Sequence, residues 1–240
     1  MSTHRCIVGV ATGPFAVGQD RFRHNKFVVD DDSDFIAWNG CVPPGFPSHF
    51  DMPYAFKAWA IKFAVEAGYT SILWADASIL PIRPILPLWD RIEKEGYWVS
   101  RNGWTNAEWT ADSAYPFLGV TKEWNEQIPH VVATSFGIDV NHSIGGNIYL
   151  EYLHLAQNGS FRGPWFNRNH PDYSTYAPSS RVGFCGGEKV RGHRHDQTAL
   201  SVIAHKLGCK LTDPPSIFAY AGGEVEDTIL LAQGNYSVTV

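Results

Sequence analysis

Asp76 and Ser78 stand two residues apart at the end of the apolar run Ser71-Ile72-Leu73-Trp74-Ala75. If the chain stays extended there, alternate residues share a face and both side chains point to one side. A strand-end carboxylate can hold Mg2+ or Mn2+, with the phosphates of a nucleotide completing the shell. The same residue types also suit a plain turn. A second group is His193, His195 and Asp196. Two histidines at alternate positions beside a carboxylate can ligate a metal. Asp196 is equally well placed as the N-cap of a helix with Leu200, Ile203 and Leu207 on one face.

These residues need elements to position them. Residues 51–68 read as a helix, with Asp51 near the cap, Pro53 in the first turn and Gly68 at the stop. A helix that ends in glycine and feeds a short apolar run is half of a βαβ unit, with the run a buried parallel strand. Asp76 then falls outside the carboxyl end of a strand, where open α/β sheets bind ligands. Cys6-Ile7-Val8-Gly9-Val10 reads as the first strand. It ends in Ala11, Thr12 and Gly13, a small-residue turn that offers free N–H groups and close backbone approach. Further strands are expected at 35–38, 97–100, 135–138 and 217–220. Asp30-Asp31-Asp32-Ser33-Asp34 lacks the spacing of a calcium loop and reads as a solvated turn.

Residues 102–115, carrying Trp104 and Trp109, read as a loop over the site. Ile144-Gly145-Gly146-Asn147 leads into an apolar helix that stops near Gly159. The segment from Gly159 to Gly192, with Trp165 and Tyr173, has no clear period, and long irregular segments inside a domain usually carry function. The whole pattern predicts one α/β domain over 1–240, Rossmann-like, with a mostly parallel central sheet, flanking helices and long loops.

A chain of 240 residues, 44% hydrophobic and 18% charged, is globular and long enough for one large domain. Its net charge of -5 gives no electrostatic case for nucleic acid as the main partner. The four cysteines form no CxxC pair and read as free thiols in a reducing compartment. No run approaches the ~18 apolar residues of a membrane helix, and no signal-peptide pattern opens the chain. A soluble cytoplasmic protein is expected.

Tyr54-Ala55-Phe56-Lys57, Gly68-Tyr69, Ile72-Leu73-Trp74-Ala75-Asp76-Ala77-Ser78 and His195-Asp196-Gln197 together resemble nucleotide-sugar glycosyltransferases of the GT-A fold. The resemblance covers roughly 6–97 and 193–211. It implies a nucleotide-binding half over 1–100 and an acceptor-side half over 101–240. Ala11, Thr12 and Gly13 match the loop that holds base and ribose, and Lys57 matches a basic residue that can face the donor diphosphate. Trp74 belongs to the same nucleotide-binding block. Asp76 and Ser78 match the DxD motif that binds Mn2+ or Mg2+ on the diphosphate. Asp196 matches a residue close to the reacting sugar, as base, charge stabiliser or hydroxyl anchor, with His195 beside it as a catalytic candidate. Trp104, Trp109, Gly146, Asn147 and Gln197 are the candidates for contact with donor or acceptor sugar.

The implied reaction moves a sugar from a UDP- or GDP-sugar to an acceptor glycan or other hydroxyl compound. Here the motif reads DAS, and Ser78 supplies a neutral hydroxyl where the family has a carboxylate. Two other functions stay open: a metal-dependent hydrolase built on His193, His195 and Asp196, and a glycosyltransferase-like domain that only binds.

Overall fold

The structure is a computed structural model that describes residues 4–29, 33–172 and 182–233. Asp30 to Asp32 and Tyr173 therefore lie outside the described residues. The first half contains strands β1 (Arg5–Ala11), β2 (Asp34–Asn39), β3 (Ser71–Ala75), β4 (Ile79–Pro81) and β5 (Tyr97–Trp98). Its helices are α1 (Ala16–Val29), α2 (Phe56–Glu66) and α3 (Leu86–Glu95). The second half adds β6 (Arg101–Thr105), β7 (Pro129–Val131), β8 (Ser135–Asp139), β9 (Phe166–Asn167), β10 (Val182–Gly183), β11 (Phe218–Tyr220) and β12 (Leu230–Ala232). It also holds α4 (Tyr115–Leu118), α5 (Lys122–Asn125), α6 (Ser143–Asn158) and α7 (His195–Lys206).

The central sheet has the order β2-β1-β3-β8-β5. β1 lies parallel to both β2 and β3, while β8 runs antiparallel to β3 and β5. β3 is buried at all five positions, as a strand covered on both faces must be. Alternation along the strands divides the core. Cys6, Val8, Ile72, Trp74, Phe136 and Ile138 pack toward α2, α6 and α7. Ile7, Leu73 and Ala75 face Phe22 of α1, Trp89 and Ile92 of α3, and Phe218 and Leu230 of a small sheet ordered β11-β12-β4. This period of two sends the Trp74 side chain to the same face as α2, beside Lys57.

Three expectations change at element ends. α2 begins at Phe56 rather than near Asp51, because Tyr54 takes φ 60, a left-handed conformation no right-handed helix contains. Its stop is as expected, with Gly68 at φ 95. Residues 144–147 are the first turn of α6 itself, capped by the His142 ring, which accepts the Ile144 N–H at 3.2 Å. The expected loop at 102–115 opens as a strand, since β6 pairs with β7.

Candidate active site

The carboxyl ends of β1, β2 and β3 share one edge of the sheet, because the three strands are parallel. Asp76 leaves β3 there, its N–H bonded to Thr134 O at 2.8 Å. The chain then turns: Ile79 N donates to Asp76 O at 2.9 Å, so 76–78 form a tight turn and not an extended segment. The alternation that would have aimed Asp76 and Ser78 to one side does not apply in that turn.

Lys57, on the first turn of α2, is 2% exposed and reaches this edge from behind. Its ammonium lies 3.0 Å from Asp76 Oδ1 and 2.9 Å from Asp196 Oδ2, and donates to Ala133 O at 2.8 Å. It also sits over the rings of Tyr54 and Trp74, 5.2 and 5.3 Å from their centroids. The Trp74 indole N–H donates to Asp76 Oδ1 at 2.8 Å. Lys57, one of the expected nucleotide-binding residues, thus bridges two carboxylates instead of standing open to solvent.

Asp196 comes from the start of α7. It is the second residue of the helix, not its N-cap; Arg194 holds that position. A carboxylate in the first turn gains from the helix dipole. Burial pushes the Asp196 pKa up to about 6, with Lys57 opposing and Asp76 adding to the rise. For Lys57, burial works against the ammonium, yet Asp196 and Asp76 outweigh it and hold its pKa above the ordinary lysine value. Tyr152 of α6 stands behind this group. Burial, then the charges of Asp196 and Asp76, push its phenol well above the usual range.

His195 completes the wall. Its Nδ1 lies 2.8 Å from Phe161 O, and a carbonyl only accepts, so the proton sits on Nδ1. Nε2 is left as a bare acceptor, buried and without a partner among the described residues. Burial, then the neighbouring His193, keep the ring neutral, with a pKa well below the usual histidine value. Tyr54 and His195 are the non-glycine residues with positive φ among those described, at 60 and 47. Their rings lie 5.7 Å apart and both line the same cavity. Backbone strain of roughly 1–3 kcal/mol per residue gathers at functional sites.

That cavity, of about 130 Å³, is lined by Tyr54, Lys57, Asp76, Ala133, Thr134, Trp165, Arg194, His195, Asp196 and Gln197. Trp165 packs against His195 at 4.8 Å and Tyr54 at 5.1 Å. The Arg194 guanidinium lies 4.1 Å above the ring of Trp109, itself stacked on His130. Trp109 is 6% exposed, so it supports Arg194 rather than offering its own face. The Gln197 amide donates to Val131 O, which fixes it on the cavity floor. Ala11, Thr12 and Gly13 sit at the carboxyl end of β1, on the edge that Asp76 occupies, with Thr12 and Gly13 exposed.

Other candidates do not join the cavity. Trp104 is 41% exposed and carries the Arg191 guanidinium 4.3 Å from its centroid. Gly146 and Asn147 lie at the opposite end of the sheet. β8 is antiparallel, so Asp139 at its exit pairs with Ser71 at the entrance of β3, and α6 starts there. Gly145 and Gly146 are small for packing: a Cβ on Gly145 would stand 2.1 Å from Asp139 O, and one on Gly146 2.9 Å from Val140 O. His193 is fully committed, with Nε2 donating to Ser160 O at 2.8 Å and Nδ1 accepting the Ala111 N–H at 3.3 Å. It has no lone pair to give a metal in this state. The sequence reading missed Arg194 and Tyr152. Arg194 had a visible signal, a cation inside the His193–Gln197 block; a buried tyrosine on α6 had none.

No protein-family model and no curated protein matches the sequence. Solved structures match in fold. One is the crystal structure of a glycosyltransferase involved in the glycosylation of the major capsid of PBCV-1. It is 13% identical with a TM-score of 0.54, covering 97% of this chain and 95% of that chain. Another is mouse xyloside xylosyltransferase 1 in its apo form, 8% identical with a TM-score of 0.53, covering 97% of this chain and 98% of that chain. The chain has the GT-A glycosyltransferase fold that the sequence resemblance implied. No helix among the described residues is long and apolar enough to cross a membrane.

Proposed function

We propose that the protein is a glycosyltransferase that moves a sugar from a nucleoside-diphosphate-sugar to an acceptor hydroxyl. The observation that carries this is the Lys57 bridge between Asp76 and Asp196 inside an aromatic-walled cavity at the strand ends. A cavity of about 130 Å³ is below the ~300 Å³ of a whole-ligand site. It suits one sugar ring, with the nucleotide outside it along Ala11, Thr12 and Gly13.

The carboxylates of Asp76 and Asp196 accept hydrogen bonds from donor-sugar hydroxyls. They also place negative charge near the carbon that becomes cationic as the glycosidic bond breaks. Lys57 holds both in register, and His195 Nε2 offers a further acceptor. Arg194, a cation at the cavity wall, is the side chain we assign to offsetting the charge that grows on the leaving diphosphate.

Mn2+ or Mg2+ is implied by the family resemblance. Among the described residues no three His, Cys, Asp or Glu side chains come together as a metal-holding group. Asp76 already shares one oxygen with Lys57 and Trp74, and Ser78 lies in a turn. These residues do not fit a resident metal cage. A divalent ion would come to the site with the donor's diphosphate and neutralise part of its charge. The committed ring of His193 speaks against the hydrolase alternative. The four cysteines are free, in keeping with a reducing compartment such as the cytoplasm.

The test is release of nucleoside diphosphate from a panel of UDP- and GDP-sugars, with Mn2+ present. Wild type is expected to release one nucleotide class, and Asp196→Asn at least ~100-fold less, the scale of losing one electrostatic stabiliser. Equal turnover in the two proteins, or none from any donor, overturns the proposal.

A further inference from the structure

A depression of about 420 Å³ lies next to the site, lined by Phe50, Asp51, Pro53, Arg162 and Gly163. That volume is within the ~300–1,000 Å³ of ligand pockets, which the inner cavity is not. The two share their walls through the chain. Tyr54, which lines the cavity, follows Pro53, and Trp165, packed 5.1 Å from Tyr54, lies two residues past Gly163.

The lining has a particular chemistry. Phe50 is 94% exposed, with its ring offered to solvent. Arg162 is exposed and takes part in no ion pair among the described residues. Asp51 is held in place by the Ser48 hydroxyl, which donates to its Oδ2. An arginine only donates hydrogen bonds and a carboxylate only accepts them. Sugar hydroxyls do both, and the C–H face of a pyranose packs flat on an aromatic ring. A free anion would gain from Arg162 but meet Asp51, so the balanced pair favours a neutral polyol ring.

We propose that this depression is a second acceptor subsite, for the sugar ring adjoining the one that receives the transferred sugar. The acceptor is then a neutral oligosaccharide of two or more rings. The subsite presupposes the glycosyl transfer proposed above.

Two measurements test it. In the first, ring resonances of 13C-labelled phenylalanine are followed while cellobiose, lactose, maltose and their methyl monoglycosides are added, with a nucleoside diphosphate present. A disaccharide is expected to shift one Phe signal that is missing in Phe50→Ala, while its monoglycoside does not. In the second, the ratio of kcat/KM for two-ring over one-ring acceptors is compared across wild type, Phe50→Ala and Arg162→Ala. It is expected to fall about threefold to tenfold in each variant, the scale of one lost stacking contact. Both side chains are exposed, so neither change threatens the fold.

No Phe50 shift with any disaccharide, or an unchanged ratio, overturns the subsite. A shift only with uronate-bearing disaccharides overturns its neutral character. Disaccharide binding at Phe50 without any nucleotide release in wild type sinks the transfer reading, and with it the acceptor role, while leaving the depression as a sugar-binding site.

Discussion

Lys57 Nζ lies 2.9 Å from Asp196 Oδ2, and this contact joins the first turn of α2 to the first turn of α7 across the end of the sheet. The two residues are distant in sequence and both almost fully buried. Breaking a buried pair by removing one partner costs about 3–5 kcal/mol, because the other charge stays uncompensated. Lys57→Met is therefore expected to lower stability to urea by about that amount. The double variant Lys57→Met/Asp196→Asn is expected to recover part of it, since neither charge is then stranded. A Lys57→Met protein as stable as wild type contradicts the arrangement.

Activity carries a pH signature from the same pair. The Asp196 pKa of about 6 is above its unfolded value, so its contribution to stability is present at low pH and lost as pH rises through 6. The proposed transfer uses Asp196 in its ionised form, so kcat/KM for the donor is expected to rise as pH passes about 6. Lys57 holds this pKa down, and Lys57→Met moves the rise to higher pH in whatever activity remains. A profile flat from pH 5 to 8 removes Asp196 from the mechanism.

The far end of the sheet gives a contrasting prediction. Asn147→Ala is expected to leave KM for donor and acceptor unchanged, because α6 starts opposite the cavity. Gly145→Ala is expected to destabilise by about 1–3 kcal/mol or more, since its Cβ would collide with the carbonyls of Asp139 and Gly96. A large KM effect of Asn147→Ala with normal stability points to a sugar contact there after all.

Among the described residues no three His, Cys, Asp or Glu side chains gather to hold a metal, and the proposed transfer brings any divalent ion in with the nucleotide. Mn2+ alone is expected to leave the melting temperature unchanged. Mn2+ with a nucleoside diphosphate is expected to raise it beyond the diphosphate alone. A shift with metal alone, abolished in Asp76→Asn, indicates a resident site that forms without nucleotide.

The sequence carried the sheet well where patterning is strong. The apolar runs at Cys6 and Ser71, and Gly68 as a helix stop, are written in periodicity and in a left-handed glycine. It also named Lys57, Asp76, His195, Asp196, Trp165 and Gln197, which the fold brings into one cavity. What it lacked was strand direction. Nothing in Ser135 to Asp139 announces an antiparallel strand, and that single reversal carries Gly146 and Asn147 away from the site. The turn at Asp76–Ser78 and the left-handed Tyr54 were hidden for a related reason: tertiary contacts impose them against local preference. Arg194 stood in view inside the His193–Gln197 block, but its seat on the Trp109 ring is a tertiary contact the sequence does not spell.

The most direct test of the central claim is a melting curve of wild type and Asp76→Asn against UDP, GDP and their sugars, each with Mn2+. Ligand at a hundred times its Kd adds about 2.7 kcal/mol, which such a curve resolves. Wild type is expected to be stabilised by one nucleotide class, more by its sugar than by the bare diphosphate, with the extra increment lost in Asp76→Asn. No stabilisation by any nucleotide or nucleotide sugar would leave the fold standing without the function proposed for it.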